Sequence, residues 1–128
     1  MDKNIFRVYD IRGKYPKEIN EEAVAEIIPA IINILKPKII VVGHDTRLSS
    51  PNLYRATINS IKRQVSNIKF IKIGTATTPM FYFLVNKLKA DGGIMITASH
   101  NPKEYNGLKI VGKNAAPISG KEILKWII

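Results

Sequence analysis

The sequence predicts an α/β domain in which helices cover both faces of a mostly parallel sheet. Two kinds of segment alternate along the 128 residues: amphipathic stretches of helical period, and short apolar runs bounded by glycine, proline or polar residues. Such alternation is typical of βαβ units. We therefore predict a three-layer α/β/α fold with a mixed, mostly parallel sheet of four strands, one of them antiparallel. The length fits a single domain spanning residues 1–128.

The amino-terminal segment predicts a strand, a turn and a helix. Residues 5–9 alternate well enough for a short edge strand, and residues 10–13 indicate a turn or loop after it. Asn20 is a suitable N-cap for a helix that ends near Lys36, because apolar residues recur there at spacings of three and four. Pro29 lies inside this helix, removes a backbone donor and predicts a kink.

Two further strand–helix units follow. The β-branched run at residues 39–43 predicts a strand covered on both faces, and residues 68–73 predict the next strand. Ser50 as N-cap, followed by proline, predicts the start of a second helix, whose apolar stripe ends at Val65. A third, largely apolar helix is predicted over residues 78–89.

The last third of the chain predicts two strands joined by a polar loop, and then a helix. Residues 93–97 form an apolar run, residues 98–107 are polar, and residues 108–111 predict a short strand. Because the ten-residue Ser99 loop contains no crossover helix, the short strand should be antiparallel. Ser119 begins a capping box that predicts a final helix over residues 121–128.

The composition is basic and lacks cysteine. The chain has 20 Lys and Arg against 10 Asp and Glu, a formal net charge of +10, and no cysteine. Disulfides, thiolate nucleophiles and cysteine-based zinc sites are therefore excluded, whereas an anionic partner is indicated. Since the lysines are spread along the predicted elements, we expect a solvated basic surface and not a nucleic-acid site. We also expect a cytoplasmic protein without a membrane partner, because neither a signal-peptide core nor a spanning apolar stretch occurs.

The usual nucleotide and metal motifs are absent from the sequence. Neither G-x-x-x-x-G-K-[ST] nor G-x-G-x-x-G occurs, and H-E-x-x-H is missing. The four aspartates are far apart along the chain, so its own carboxylates do not predict a complete Mg²⁺ site. Ligands of parallel sheets bind beyond the carboxyl ends of the strands. We therefore expect the chemistry in the loops that begin at His44, Gly74 and Ala98.

The most distinctive of these loops is TASHNP, residues 97–102. A serine at the end of a strand, here Ser99, can act as a nucleophile when a base or a preformed charged state activates it. His100 is not that base, because neighbouring residues of an extended segment point to opposite sides. The residue types alone favour a plainer interpretation, a polar turn before proline in which serine and asparagine bond the local backbone.

A family resemblance favours the chemical interpretation. Residues 97–102, followed by YNGLKI at residues 105–110, resemble the phosphoserine loop of the α-D-phosphohexomutases, which include phosphomannomutases and phosphoglucomutases. Residues 6–13 (FRVYDIRG), 43–49 (GHDTRLS) and 74–79 (GTATTP) resemble three further motifs of that family, in the family's order. The resemblance covers nearly the whole chain and matches the first of the family's four domains.

The resemblance implies phosphoryl transfer through a phosphoserine at Ser99. In the family, that serine donates its phosphoryl group to a hexose 1- or 6-phosphate, and the resulting bisphosphate reorients and returns the other phosphoryl group. Such catalysis depends on positioning and on neutralising phosphoryl charge. Mg²⁺ in the family contacts an oxygen of the phosphoserine, while three aspartates of the second domain hold the ion. The resemblance thus implies Ser99, through its phosphate oxygen, as this chain's only metal contact.

The same resemblance assigns roles to five other residues. Arg12 and Lys109 match cationic groups beside the transferring phosphoryl group, and Lys109 is also a candidate acid/base. Tyr9 borders the active site together with Arg12, as substrate-binding residues. His100, as a catalytic residue, and Asn101, as a substrate-binding residue, orient the phosphoserine or its transferred group.

The residue types by themselves leave plainer alternatives open. Lys109 also fits an exposed strand lysine, Tyr9 an ordinary strand-end residue, and Asn101 a loop cap. Arg47 is expected to be structural rather than catalytic, either pairing with Asp45 or bonding loop carbonyls.

Because the chain resembles only one of the family's four domains, more than one function is open to it. We expect little mutase activity from the chain alone, with hexose phosphates as substrates of the complete enzyme. Its partner would be a chain that carries the missing domains, or a homodimer mate. The alternative is a non-catalytic interaction or regulatory module that keeps the fold. An apolar docking face is expected near the end of the chain, at Ile123, Leu124, Trp126, Ile127 and Ile128.

Overall fold

A computed structural model describes residues 1–64 and 67–127, and the following elements are those of this part of the chain. The strands are β1 (Ile11–Lys14), β2 (Ile39–His44), β3 (Lys69–Thr75), β4 (Gly92–Ile96), β5 (Tyr105–Gly112) and β6 (Pro117–Ile118). The α-helices are α1 (Glu21–Leu35), α2 (Ser50–Gln64), α3 (Thr78–Lys87) and α4 (Gly120–Ile127). Short 3-10 helices cover Lys3–Ile5 and Lys113–Ala115.

The sheet is mixed, with the strand order β1-β5-β4-β2-β3 and with β6 beside β5. β2 is parallel to β3 and β4, whereas β5 is antiparallel to β4, β1 and β6. The prediction of one antiparallel strand is therefore confirmed, since β5 alone of the described strands runs against the others. The predicted number of four strands is wrong, because the described residues form six. β1 and β6 have only four and two residues, too few for a period of two to be recognised.

Two apolar cores on opposite faces of the sheet confirm the three-layer architecture. Ile40 and Val42 of β2 are buried in one cluster with residues of α1, α2 and α4. Val41, between them, belongs to the second cluster with Phe81 and Val85 of α3. Successive side chains of a strand point to opposite faces, so the continuous apolar run of β2 serves both cores. This explains why the run does not alternate with polar residues.

The start of the chain differs from the predicted strand and turn. Phe6 forms an isolated antiparallel bridge with Ile11, and the backbone N–H of Arg7 donates to the carbonyl of Asp10 over 2.8 Å. Residues 7–10 are thus a turn, and the strand β1 begins where the sequence predicted the turn. The alternation at residues 5–9 did not predict the strand correctly, because the strand forms where the chain pairs with β5, which is at β1.

The helix ends follow the predicted capping in part. The Asn20 side chain accepts a hydrogen bond from the N–H of Ala23 at 2.8 Å, which confirms it as the N-cap of α1. α1 contains Pro29, and the kink there stays a prediction. Ser50 is the first residue of α2 rather than its N-cap, and its hydroxyl donates to the Asp45 carboxylate over 2.5 Å and accepts from the Asn106 amide at 2.9 Å. Val65, the last predicted residue of the α2 stripe, lies outside the described residues.

The predicted apolar end of the chain is largely packed within the chain itself. Ser119 Oγ accepts from the N–H of Lys121 at 3.1 Å, at the start of α4. Ile123 is fully buried, while Leu124 and Ile127 pack against the same core. Trp126 is 51% exposed and is what remains of the expected docking face, since Ile128 lies outside the described residues. Among the helices described, none is both long and apolar enough to cross a membrane.

Candidate active site

The Ser99 loop, residues 97–105, leaves the sheet at the carboxyl end of β4. Thr97 and Ala98 are buried, whereas Ser99 is exposed. The Thr97 hydroxyl accepts from the Ser99 N–H at 3.0 Å, and the Ala98 carbonyl accepts from the Asn101 N–H at 3.1 Å. Ser99 has φ 55°, in the left-handed region that residues other than glycine rarely adopt. The tight turn that results leaves the serine side chain accessible to solvent.

Arg47 fixes the Ser99 loop from the neighbouring β2–α2 loop. Its Nη1 donates to the carbonyls of Pro102 (2.7 Å) and Tyr105 (3.1 Å). Its Nη2 donates to the carbonyls of Ser99 and Asn101, both at 2.8 Å. Both structural expectations for Arg47 are confirmed, since it also pairs with an Asp45 carboxylate oxygen. The loop geometry therefore depends on a side chain about fifty residues away in sequence.

A buried polar cluster lies beneath the two loops. Asn106 is fully buried, and its Nδ2 donates to the hydroxyls of Ser49 (2.8 Å) and Ser50 (2.9 Å). Its Oδ1 accepts from the N–H of Gly107 at 2.9 Å. Since buried polar groups are costly when they are unpaired, this satisfied cluster ties the beginning of α2 to β5. It restricts the relative positions of the loops that carry Arg47 and Ser99.

Arg12 connects β1 to the Ser99 loop. Its Nε lies 2.9 and 3.0 Å from the two carboxylate oxygens of Asp10, and its Nη2 is 2.6 Å from Asp10 Oδ2. Its Nη1 donates to Oδ1 of Asn101. Asp10 is almost completely buried, whereas the Arg12 side chain remains 23% exposed. A fixed and partly accessible guanidinium of this kind is suited to an anionic ligand.

Gly107 allows β1 to lie close enough to β5 for this arrangement. It is paired with Arg12 in the antiparallel ladder, and a Cβ at Gly107 would lie 1.9 Å from the carbonyl oxygen of Ile11. Lys109 stands two residues further along β5, opposite Met95 of β4. Because residues two apart on a strand share a face, Lys109 lies on the same side of the sheet as Arg12.

The structure brings some of the predicted site residues together and not others. Arg12 and Asn101 are bonded directly, and Arg47 bonds the backbone of both Ser99 and Asn101. Tyr9 and His100 are both exposed, Tyr9 in the turn at residues 7–10 and His100 next to Ser99 in the chain. Among the hydrogen bonds and ion pairs of the described residues, none involves the side chains of Tyr9, His100 or Lys109.

An open cavity of about 720 Å³ adjoins the Ser99 loop. Arg47 and Leu48 line it from one side, and Ser99, Asn101 and Lys103 from the other. Leu48 is 98% exposed. Within residues 1–64 and 67–127, no three His, Asp or Glu side chains are grouped as a metal site requires. Asp45 and Glu104 also line the cavity, so its lining holds two cationic side chains, Arg47 and Lys103, and two acidic ones.

Comparison with known proteins decides the family. The family model described as phosphoglucomutase/phosphomannomutase, alpha/beta/alpha domain I, matches residues 3–127. This chain belongs to the phosphoglucomutase/phosphomannomutase family. It is 45% identical over 115 residues to an Escherichia coli K12 protein named phosphomannomutase, covering 90% of this chain and 25% of that protein. It is 44% identical over 122 residues to a Klebsiella pneumoniae phosphomannomutase, covering 95% of this chain and 76% of that one.

A solved structure agrees with the family membership at the level of the fold. A phosphoglucomutase/phosphomannomutase family protein from Burkholderia thailandensis superimposes with a TM-score of 0.85 at 28% identity. The superposition covers 99% of this chain and 30% of that one. The chain therefore spans about a quarter of the length of the Escherichia coli relative and under a third of the Burkholderia protein.

Sequence analysis missed two residues that shape this family member's site. Asp10 holds Arg12, and the signal available for it was an acidic residue two positions before a basic one within the FRVYDIRG motif. Asn106 is the second residue of β5, and only the family motif YNG marked it. Its burial between two serine hydroxyls could not be recognised without the fold.

Proposed function

We propose that Ser99 is the phosphoryl carrier of a phosphohexomutase, and that this chain supplies its phosphoserine-bearing domain. One observation carries the proposal: an exposed serine stands in a fixed turn at the carboxyl end of β4, and Asn101, two residues along the same turn, accepts a hydrogen bond from the Arg12 guanidinium. Positioning and neutralisation of phosphoryl charge are the main requirements of phosphoryl transfer. Membership of the phosphoglucomutase/phosphomannomutase family supports hexose phosphates as the substrate class.

In the proposed cycle, phosphorylated Ser99 donates its phosphoryl group to a hydroxyl of a hexose monophosphate. The bond between Ser99 Oγ and phosphorus breaks, and a bond forms between the sugar oxygen and phosphorus. The sugar hydroxyl loses a proton and Ser99 Oγ gains one, so that atoms and charge balance. The bisphosphate reorients between its 1- and 6-positions and returns the other phosphoryl group by the reverse step, which regenerates the phosphoserine.

The neighbouring residues take roles that follow from their chemistry. Arg12, held by Asp10 and still partly exposed, stabilises the charge on the phosphoryl oxygens. Lys109 shares that face of the sheet and is the group proposed to exchange the proton. Asn101 orients Arg12 towards the phosphoryl group, and exposed His100 lies beside the transferred group.

Tyr9 is proposed to contact the sugar. It is 72% exposed in the turn at residues 7–10, next to the buried Asp10 that holds Arg12. An aromatic ring in this place can stack against a sugar ring while the guanidinium binds the phosphate. The proposal therefore divides recognition between the turn, which takes the sugar, and the Ser99 loop, which takes the phosphoryl group.

The described residues do not fit a complete Mg²⁺ site. Two carboxylates beside the Ser99 loop are already engaged, Asp10 by Arg12 and Asp45 by Arg47 and Ser50, which leaves Glu104 among the acidic residues that line the cavity. A phosphorylated Ser99 would offer one phosphate oxygen, while the remaining ligands belong on a chain segment or partner beyond this domain. No step of the proposed cycle therefore passes through the metal. We propose that the lone domain has little turnover for the same reason.

The experiment asks whether Ser99 takes up phosphate. The purified chain is analysed by intact mass and peptide mapping, both as isolated and after incubation with glucose 1,6-bisphosphate and Mg²⁺. We expect one phosphoryl group on the peptide that contains Ser99, its loss in Ser99→Ala, and its retention in the control Ser119→Ala. A chain that never acquires phosphate, although its circular dichroism shows it folded, would favour the alternative of a non-catalytic interaction module.

A second measurement tests the proposed need for the rest of the enzyme. Conversion of mannose 1-phosphate to mannose 6-phosphate is followed with the 128-residue chain alone. We expect no Ser99-dependent turnover. Robust conversion that disappears in Ser99→Ala would contradict the proposal that ligands and sugar contacts lie outside this domain.

A further inference from the structure

We propose that Arg47 is the positioning residue of Ser99. In this role, Arg47 fixes the backbone of the Ser99 loop and presents the serine hydroxyl, and it does not itself contact the phosphoryl group. What the positioned serine then does rests on the proposed function. The positioning itself rests only on the contacts of Arg47 with the loop.

The first argument is that Arg47 uses all four of its Nη hydrogens to bond the Ser99 loop. A guanidinium has five N–H groups in a fixed plane. In Arg47, the four Nη hydrogens serve the four loop carbonyls named above, and Nε lies 3.3 Å from Asp45 Oδ2. The side chain is only 14% exposed. Neither Nη group is therefore left to bind a phosphate, and Nε lies beside the Asp45 carboxylate, in contrast to the partly accessible guanidinium of Arg12.

The second argument concerns the direction of the loop carbonyls. Because the carbonyl oxygens of Ser99 and Asn101 face Arg47, their negative ends are drawn towards the guanidinium. A carbonyl oxygen that turned towards a phosphoryl anion would repel it. The same bonds oppose relaxation of Ser99 from its left-handed backbone conformation, which persists only where the surroundings impose it.

The third argument is that Arg47 is itself held in place before any ligand binds. The Asp45 carboxylate accepts from the Arg47 backbone N–H at 3.1 Å and from the Ser50 hydroxyl at 2.5 Å. The Asp45 N–H donates to the carbonyl of Ile96, the last residue of β4, at 3.0 Å. Arg47 is thus anchored to the strand from which the Ser99 loop departs. A group fixed in this way can preorganise another.

A lysine cannot replace Arg47 in this role. It has three donors on a single nitrogen, without the planar geometry that reaches four carbonyls. Arg47→Lys keeps the positive charge beside Asp45 and removes most of the loop bonds. The variant therefore separates positioning from charge. Arg55→Lys is the matched control, because Arg55 is an exposed α2 residue that bonds the side chain of Asn52.

The first measurement is nuclear magnetic resonance of the unphosphorylated chain. In the wild type, we expect separate, slowly exchanging Nη signals for Arg47 and averaged signals for Arg55. In Arg47→Lys, backbone order parameters of residues 99–105 should fall from about 0.85 to below about 0.6, with the rest of the chain unchanged and Arg55→Lys like the wild type. Averaged Arg47 Nη signals in the wild type, or an ordered loop in Arg47→Lys, would overturn the proposal. The wild-type measurement decides alone if Arg47→Lys does not fold.

The second measurement is the rate of Ser99 phosphorylation by glucose 1,6-bisphosphate. A misplacement of about 1 Å costs about a hundredfold in rate, so we expect a slowing of that order in Arg47→Lys and none in Arg55→Lys. Equal rates in the two variants would overturn the positioning role. If the wild type takes up no phosphate, the proposed function fails, and the order parameters still decide the role of Arg47.

Discussion

Two segments border the candidate site and are held in different ways. The Ser99 loop is held by a side chain, since Arg47 bonds four of its carbonyls. The turn at residues 7–10 is held by backbone: the Arg7 N–H donates to Asp10, and the Lys121 N–H of α4 donates to the Arg7 carbonyl over 3.2 Å. The difference teaches that the segment proposed to take the phosphoryl group depends on one residue's chemistry, whereas the segment proposed to take the sugar depends on close backbone packing.

The link between the two segments is the side chain of Arg12. It takes its position from Asp10, at the end of the turn, and reaches Asn101 in the Ser99 loop. Either segment can therefore disturb the other only through this contact or through the sheet. The following predictions test that separation, in order of decreasing expected effect on the free energy of unfolding.

Gly120→Ala should disrupt the turn and destabilise the chain most. A Cβ at Gly120 would lie 2.4 Å from the Asp10 carbonyl oxygen and 2.7 Å from that of Arg7, so α4 or the turn must move. We expect a loss of about 3 kcal/mol, as in overpacked cores, measured by urea unfolding. Gly112→Ala is the control, because its Cβ would meet no atom closer than 3.7 Å. Equal stability of the two variants would show that the turn does not depend on this approach.

Asn106→Ala should loosen the loops that carry Arg47 and Ser99. It removes a fully buried amide that bonds Ser49, Ser50 and the Gly107 N–H. Because buried partners are left unpaired, we expect a loss of about 2 kcal/mol, again by urea unfolding. Amide hydrogen exchange should accelerate in residues 99–105 and not in residues 7–10. The exposed residue of α2, Asn59→Ala, serves as control, and uniform acceleration in both segments would contradict the separation.

Arg12→Lys should weaken the link while leaving both segments folded. The charge is kept, but the two-pronged contact with Asp10 and the bond to Asn101 are lost. We expect about 1.5 kcal/mol of destabilisation, with the Arg7–Asp10 hydrogen bond intact by amide exchange. Arg7→Lys, an exposed arginine of the turn, should be close to the wild type. A collapse of the Ser99 loop in Arg12→Lys would show that Arg47 is not sufficient to hold it.

Acid should weaken the contacts of Asp91 at the start of β2 and leave the Ser99 loop and the turn at residues 7–10 unchanged. The Asp91 carboxylate accepts from the N–H groups of Ile39 and Lys38 at the start of β2, and these bonds lower the pKa of Asp91 below its usual value. A lowered pKa gives stability that is present above the unfolded-state value and is lost as pH falls through the folded-state value. We therefore expect Asp91→Asn to cost about 1 kcal/mol at pH 7.

Urea unfolding across the acid range checks the sign of this effect. The cost of Asp91→Asn should shrink as pH falls below the usual aspartate pKa, because the unfolded wild-type chain then takes up a proton, and it should vanish below the lowered folded-state pKa, where the native carboxylate is neutral. Amide exchange of residues 7–10 and 99–105 should be the same in the variant and the wild type at pH 7. A cost that grows on acidification would contradict the assigned cause of the pKa shift.

The sequence predicted most accurately the elements that form through interactions between residues close in sequence. The helix that begins after Asn20 and the strand at residues 39–43 were predicted closely, because capping and apolar runs are local signals. The strand predicted at residues 5–9 was wrong, since β1 exists through its pairing with β5 about a hundred residues later. β6 is a two-residue strand that pairs with β5, and nothing local announces it.

For the candidate site, sequence motifs identified the candidate residues, and the fold showed which other residues hold them in place. Ser99, Arg12, Lys109, Tyr9, His100 and Asn101 were all identified from motifs, and their catalytic and binding roles stay predictions. Asp10 and Asn106 were not, because their importance comes from burial against partners elsewhere in the chain. Arg47 was expected to bond loop carbonyls, but which carbonyls, and how many, required the distances.

By itself, the sequence determined the α/β class, the family resemblance and the residues that offer phosphoryl chemistry. These conclusions depend on residue types at short spacings and on the order of the motifs, both of which are visible in the sequence without the fold. Only the tertiary structure decided which strand lies beside β5, that the turn at residues 7–10 is held by backbone, and that Arg47 uses its four Nη hydrogens to bond the Ser99 loop. The contacts of Arg47 with that loop join residues separated by 52 or more positions, and their geometry exists only once the sheet has brought its loops together.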